Sequence, residues 1–93
     1  MSNLSKAVVT VLGKDCKGII AQVSNVLWQY EVNILDISQT IMGDIFTMTL
    51  LVDVGAANRP YEEINKAMTE FGQRENLSVR IQREEIFSAM HRI

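Results

Sequence analysis

Residues 33–54 have the sequence NILDISQTIMGDIFTMTLLVDV, and their alternation decides the fold. Every second residue from Phe46 to Val54 is apolar, which is the period of a half-buried β-strand. The residues before the turn alternate in the same way, and we expect Leu35, Ile37, Gln39 and Ile41 to share one half-buried face. A turn at residues 42–44 contains Gly43 and Asp44, so the stretch predicts a β-hairpin.

The residues before the hairpin predict a strand, a loop and a helix. Residues 7–12 form a short β-branched run closed by Gly13, which indicates a buried strand. Residues 13–18, with the sequence GKDCKG, form a turn-rich loop. From Ile19 to Tyr30 apolar side chains recur at spacings of three and four, which is typical of an amphipathic helix that ends near Glu31.

The residues after the hairpin repeat this arrangement. Asn58 is the predicted N-cap of a second helix, with Pro60 in its first turn, and Asn76 is the predicted stop. The apolar residues of its buried face are Tyr61, Ile64, Met68 and Phe71. Residues 77–82 alternate as a fourth strand, and the apolar residues of the tail stand at helical spacing: Ile86, Phe87, Met90 and Ile93.

This order of elements is β-α-β-β-α-β. It predicts an α+β protein with a ferredoxin-like sandwich, in which a four-stranded antiparallel sheet carries both helices on one face. We expect one domain over residues 1–93, with a core of about 6–83 and a short C-terminal helical extension over 84–93.

Composition and charge exclude several classes of function. The net charge of −2 argues against a nucleic-acid partner, which needs a basic face. The same strand order occurs in RNA-binding sheets, but the central strands offer only Phe46 as a stacking aromatic. Cys16 is the single cysteine, so no internal disulfide forms. No apolar run reaches membrane-spanning length and no signal-peptide core is present, so we expect a cytoplasmic protein without a membrane contact.

The residues also argue against an enzyme. The first loop offers Lys14 and Lys17 but no arginine for a phosphate and no base–nucleophile pair, so we expect no catalytic residue. His91 is the single histidine, and the acids near it do not have the spacing of a metal site. We therefore expect no metal and no cofactor.

A family resemblance appears in the local motifs. A strand followed by GKDCKGI at residues 13–19, and then Val32, Asn33 and Ile34 at the start of the second strand, resemble the ACT domain over the chain to about Arg83. The ending VRIQREEIFSAMHRI at residues 79–93 is similar to small stand-alone ACT-domain proteins of bacteria and archaea. A more distant likeness is to the glycine-cleavage repressor.

The resemblance implies a regulatory module that binds a small effector, usually an amino acid, at the interface of a homodimer. In the family the ligand lies between the first loop and helix of one subunit and the start of the second strand of another. The positions that carry over as ligand-binding are Asp15, Cys16, Lys17, Gly18, Ile19, Asn33 and Ile34. Many relatives have a proline where this chain has Lys17, which adds a charge at the mouth of the site.

Each of these residues has an effector-binding and a structural interpretation. The N–H groups after Gly18 open a helix and favour a carboxylate, which Lys17 would reinforce. Asp15 would accept from an ammonium group, and the Asn33 amide both donates and accepts. The structural alternatives are a turn or cap for Asp15, a positive φ for Gly18, the end of a turn for Asn33 and a solvated charge for Lys17.

Two further alternatives remain open at this stage. Trp28 lies off the apolar stripe of the first helix and either contacts a second copy or covers the edge of its own helix. The alternative function is a ligand-free adaptor that modulates an enzyme or transcriptional regulator by contacting it, through surfaces that include the apolar tail. The adaptor requires a protein partner, whereas the effector-binding module acts through the homodimer or through such a partner.

Overall fold

The computed structural model of the chain describes residues 5–14 and 18–84. Its elements, in order, are β1 (Lys6–Gly13), α1 (Ile19–Gln29), β2 (Asn33–Met42), β3 (Ile45–Asp53), α2 (Tyr61–Glu75) and β4 (Ser78–Arg83). The strands form one sheet in the order β2-β3-β1-β4, and each neighbouring pair is antiparallel. The predicted ferredoxin-like sandwich is confirmed. Of the predicted C-terminal extension, the part from residue 85 onward lies outside the described residues.

The core lies between the helices and one face of the sheet. The alternating residues of β3 from Phe46 to Val52 are all buried, as their spacing predicts. Both helices contribute one apolar stripe to the same cluster, and this confirms the predicted helical faces. The buried helical residues are Ile19, Val23 and Leu27 on α1 and Ile64, Met68, Phe71 and Gly72 on α2.

Residues with positive φ mark the predicted turn, the start of α1 and the end of α2. Gly43 has φ 62° at the first central position of the hairpin turn, where glycine carries no steric cost. Gly18 has φ 73° and stands at the N-cap of α1. Asn76 has φ 60° at the end of α2, and the N–H of Leu77 donates to the Gly72 carbonyl at 2.7 Å. The predicted turn and helix stop are therefore confirmed.

The predicted half-buried face of β2 is wrong. The register shifts between Ile34 and Asp36, so the strand contains a β-bulge at this point. Ile37 and Ile41 stand opposite buried residues of β3, yet 38% and 64% of their surfaces are exposed. The reason is that β2 is an edge strand that neither helix covers in the way that α2 covers the other edge strand, β4, and alternation does not show which strand receives such a cover.

The predicted N-cap of α2 is also wrong. Pro60 occupies the cap position, and its carbonyl accepts from the N–H groups of Glu63 and Ile64. The side-chain amide of Asn58 instead donates to the Gln29 carbonyl and to Glu31 Oε2, both at 3.1 Å. Asn58 therefore satisfies the end of α1, because the loop before α2 passes over that end.

Candidate functional site

The first predicted half of the site is the start of α1. Gly18 is exposed, and a Cβ built on it would meet nothing within 4 Å. No described side chain caps the helix, and the first turn contains no acidic residue. Within 5–14 and 18–84, no side chain therefore compensates the N–H groups of this turn or the positive end of the helix dipole. Ile19 is buried in the core, so its backbone N–H is the part that is available to a ligand.

A cavity of about 670 Å³ adjoins this helix start. It carries one charge of each sign, from Lys14 and Glu75, and the carboxylate of Glu75 lies 3.6 Å from the Arg74 guanidinium. The cavity is wide enough for a small metabolite. Its lining residues are Leu12, Gly13, Lys14, Ile19, Gln22, Ile45, Glu75, Asn76 and Leu77.

Three of the predicted ligand-binding residues belong to the loop before α1. Asp15, Cys16 and Lys17 lie outside the described residues, so their roles stay predictions. The ligand-binding roles of Gly18, Ile19, Asn33 and Ile34 also stay predictions, although the structure gives the positions of these four residues.

The second predicted half of the site is the start of β2, and it lies at the other end of the sheet. Gly13 stands opposite Phe46, whereas Asn33 stands opposite Asp53. The seven steps along β3 from Phe46 to Asp53 correspond to about 23 Å. Asn33 is exposed, and Ile34 is half-buried against the core. A single copy of the chain therefore does not bring the two halves together.

A depression of about 520 Å³ lies beside Asn33. Its walls are Trp28, Gln29, Glu31, Val32 and Asn33, at the end of α1 and the start of β2. Trp28 is 75% exposed, in agreement with its position off the apolar stripe.

The sequence reasoning missed Glu31. This residue has φ 56° after the end of α1, a conformation that favours glycine or asparagine. The available signal was the absence of either residue where the helical pattern stops.

Between the two halves runs an exposed apolar surface on the outer strand. We call the exposed residues Leu35, Ile37, Ile41 and Met42 the β2 edge patch. Each exposes between 38% and 73% of its surface. Ile20 in the first turn of α1 is 39% exposed as well. Apolar residues on an unpaired edge strand are a common feature of surfaces that pair with another chain.

The described residues supply neither a metal cluster nor a membrane helix. Over 5–14 and 18–84, no three His, Cys, Asp or Glu side chains come together as metal ligands. Within the same ranges no helix has the length and hydropathy to cross a bilayer. One pKa shift lies away from the candidate site: burial raises the pKa of the Tyr61 hydroxyl, while Arg83 acts to lower it.

Comparison with protein families identifies the class of protein. The family model described as "ACT domain" matches residues 5–82, so the chain is an ACT-domain protein. ACT domains are regulatory modules that bind ligands.

The relatives identify the family more narrowly. A UPF0237 protein of Listeria innocua is 44% identical over 95% of this chain and 99% of its own length. A UPF0237 protein of the archaeon Methanococcus maripaludis is 43% identical over 97% and 100%. The chain therefore belongs to the UPF0237 proteins, and the predicted resemblance to small ACT-domain proteins of bacteria and archaea is confirmed.

Solved structures agree with this assignment. An ACT domain protein from Streptococcus pneumoniae superposes with a TM-score of 0.80 at 38% identity, over 96% of this chain and 100% of that one. A putative glycine cleavage system transcriptional repressor superposes with a TM-score of 0.73 at 25% identity, over 88% of this chain and 47% of that one. The second match confirms the predicted distant likeness.

Proposed function

We propose that this protein is a regulatory sensor of a small amino-acid-like effector, and that two copies of the chain form the effector site. The observation that supports this most strongly is the separation of the two half-sites. Gly18 and Asn33 lie at opposite ends of one molecule, and the exposed β2 edge patch runs between them.

A two-fold dimer through β2 brings unlike half-sites together. If the β2 strands of two copies pair antiparallel, the first residue of one strand lies beside the last residues of the other. Asn33 of one copy then approaches the Met42 end of the second copy, which is the end of the sheet where α1 begins. The pairing also removes the β2 edge patch from water, which favours association.

The chemistry of the paired half-sites suits a zwitterion. The first turn of α1, which no described side chain caps, offers N–H donors and a positive dipole end to a carboxylate. Asn33, on the other copy, has an amide that accepts from an ammonium group and donates to a carboxylate. Effector binding between copies would stabilise the dimer by its differential affinity, and the dimer would transmit the signal to a protein partner.

This proposal describes a binding protein rather than an enzyme. The half-sites supply hydrogen-bond donors and acceptors, and their described residues do not pair a nucleophile with a base. We place the protein in the cytoplasm, where metabolite effectors are found and where a lone cysteine stays reduced. We expect no nucleic-acid, membrane or cofactor contact.

The β2 edge patch also supports a second candidate function. A ligand-free adaptor would use the same exposed strand to add a strand of a partner enzyme or regulator to its sheet. The adaptor requires no effector, so ligand binding separates the two functions.

The unfolding midpoint in the presence of each of the twenty amino acids tests the proposal. We expect one amino acid, or a small group, to raise the midpoint, and Asn33→Ala to abolish the increase. Glu62→Gln, an exposed change on α2, is the matched control and should leave the increase intact. A flat panel at millimolar concentrations would favour the adaptor.

Mixing two defective variants tests whether the site is shared between copies. Gly18→Asn keeps a residue that tolerates positive φ but adds a side chain at the helix start, and Asn33→Ala removes the other half. In a freely exchanging mixture about a quarter of the sites should be intact, because half of the dimers are mixed and each mixed dimer has one intact site. No recovery on mixing would contradict a shared site.

A further inference from the structure

The end of α1 differs from the end of α2 in ways that point to a cation. Both helices are followed by a residue with left-handed backbone, Glu31 after α1 and Asn76 after α2. The last turn of α2 contains Arg74, which compensates the negative helix end, whereas the last turn of α1 contains no basic residue. The carboxylate of Glu31 adds a further negative charge at this uncompensated end.

Glu31 is an unfavourable choice for stability at this position. The left-handed region is sterically unfavourable for a residue that carries a Cβ. An acid at a helix C-terminus is also repelled by the dipole. Two local costs at one exposed residue indicate a role other than folding.

The Glu31 carboxylate is held in place and keeps accepting capacity. Asn58 Nδ2 donates to its Oε2 at 3.1 Å and also bonds the Gln29 carbonyl, which fixes the carboxylate at the rim of the depression. Among the described residues no lysine or arginine forms an ion pair with it, and the nearby Arg59 lies 4.0 Å from Glu63 instead. A carboxylate oxygen is therefore available to a ligand.

The other walls complete a recognition site for an organic ammonium. The indole of Trp28 is 75% exposed, and an aromatic face attracts cations. The Asn33 amide oxygen is an additional acceptor. None of the five lining residues is basic. The depression thus combines a carboxylate, an aromatic face and a helix C-terminus around one space.

We infer that this depression, lined by Trp28, Glu31 and Asn33, binds the ammonium group of the effector. The binding of an ammonium group requires only described residues of one copy. The orientation of a whole amino acid rests on the proposed function, because its carboxylate would meet the start of α1 in the second copy. An effector that lacks a free ammonium group, such as an N-acetyl amino acid, is then excluded.

Trp28 makes the inference directly measurable, because it is the single tryptophan of the chain. The probes are n-butylammonium chloride and its neutral counterpart butan-1-ol, titrated at constant ionic strength with tryptophan fluorescence as the readout. We expect a saturable change with n-butylammonium and none with butan-1-ol. Equal responses to both probes, or no saturable response, would overturn the inference.

Charge variants assign the binding to Glu31. We expect Glu31→Gln to weaken n-butylammonium binding about two- to fivefold, as for an exposed charge pair. The matched charge control Glu62→Gln should leave the affinity unchanged. In Trp28→Leu, amide NMR shifts of Glu31 and Asn33 replace fluorescence, and binding should weaken about two- to fivefold. Equal affinities in Glu31→Gln and Glu62→Gln would contradict the assignment.

The n-butylammonium titration and the unfolding measurements with amino acids can fail independently of each other. If n-butylammonium binds but no amino acid raises the unfolding midpoint, the ammonium site stands and the shared amino-acid site fails. If an amino acid raises the midpoint and its N-acetyl form does so equally, the sensor stands and the ammonium inference is overturned.

Discussion

The two edges of the sheet differ although both strands alternate in sequence. Of the six residues of β4, Val79, Ile81, Gln82 and Arg83 are at least partly buried. Of the ten residues of β2, Ile34 alone is partly buried and the other nine are exposed. The β4 edge is closed by α2, where the Tyr61 hydroxyl donates to the Ile81 carbonyl at 3.2 Å and the Arg83 guanidinium lies 4.4 Å above the Tyr61 ring centroid.

This difference separates an edge that a helix covers from an edge whose apolar residues are exposed. Apolar side chains on an exposed edge strand are a liability unless something covers them, and natural sheets usually protect such edges with charge or with a covering element. On β2 the described residues include the charge of Asp36 and the β-bulge beside it, yet the apolar side chains of the β2 edge patch stay exposed and no described element covers them. We therefore expect changes on β2 to alter assembly and changes at β4 to alter the stability of the single chain.

The largest expected effect is the loss of the dimer in Ile37→Lys. A charge in the middle of the β2 edge patch enters the interface twice in a two-fold dimer, and loss of a central interface residue costs about 2 kcal/mol or more, so we expect at least about 30-fold weaker association. Sedimentation velocity measures the change. Ser78→Lys on the exposed side of β4 is the matched control and should leave the mass unaltered. Equal masses for both variants would place the interface elsewhere.

The next effect is a loss of stability in Gly72→Ala, on the β4 side. A Cβ on Gly72 would lie 2.9 Å from the Leu77 carbonyl oxygen and 3.0 Å from Val79 Cγ2, so α2 and β4 must separate. We expect a decrease of about 1–3 kcal/mol in the free energy of unfolding, measured by urea denaturation. The exposed neighbour Gln73→Ala should be neutral or slightly stabilising. An unchanged free energy of unfolding in Gly72→Ala would mean that α2 and β4 move apart at little energetic cost.

A smaller effect of opposite sign is expected at the end of α1. Glu31→Gly removes the steric cost of φ 56° and should raise the free energy of unfolding by up to about 1 kcal/mol. The loss of the hydrogen bond from Asn58 reduces this gain. Glu31→Gln keeps the strained backbone and should show no such gain. Urea denaturation measures both variants. If Glu31→Gly is less stable than Glu31→Gln, the Asn58 bond outweighs the strain.

The smallest effect concerns the hydroxyl that closes the β4 edge. Tyr61→Phe removes one hydrogen bond and should cost about 1 kcal/mol at neutral pH. Burial raises the folded-state pKa of Tyr61 above its ordinary value of 10.0. The stability that the Tyr61 hydroxyl contributes is therefore present below the unfolded-state pKa and is lost as the pH rises through the folded-state pKa. The difference between wild type and variant should therefore shrink from about pH 8 to about pH 11. A difference that grows with pH would contradict the sign.

Most of the fold was predictable because it depends on local rules. The periodicity of residues 46–54, the Gly43 turn and the Asn76 stop each specify one element, and the order of the elements leaves few topologies. Gly18 and Asn33 were chosen as candidate half-sites through the family likeness, and their ligand-binding roles stay predictions. The bulge at Ile34–Asp36 and the role of Asn58 were not, because both depend on contacts between segments distant in sequence.

The sequence by itself determined which segments are strands and helices, and that the chain is an ACT-domain protein, because period and motif are local properties. Only the tertiary structure decided that β2 is an edge with its apolar residues in water, since exposure depends on which neighbours a strand receives. It also decided that the Gly13 end of β1, where the loop to α1 begins, and Asn33 lie about 23 Å apart along the sheet. The left-handed backbone of Glu31 was likewise visible only in the tertiary structure, where the loop that carries Asn58 packs against the end of α1.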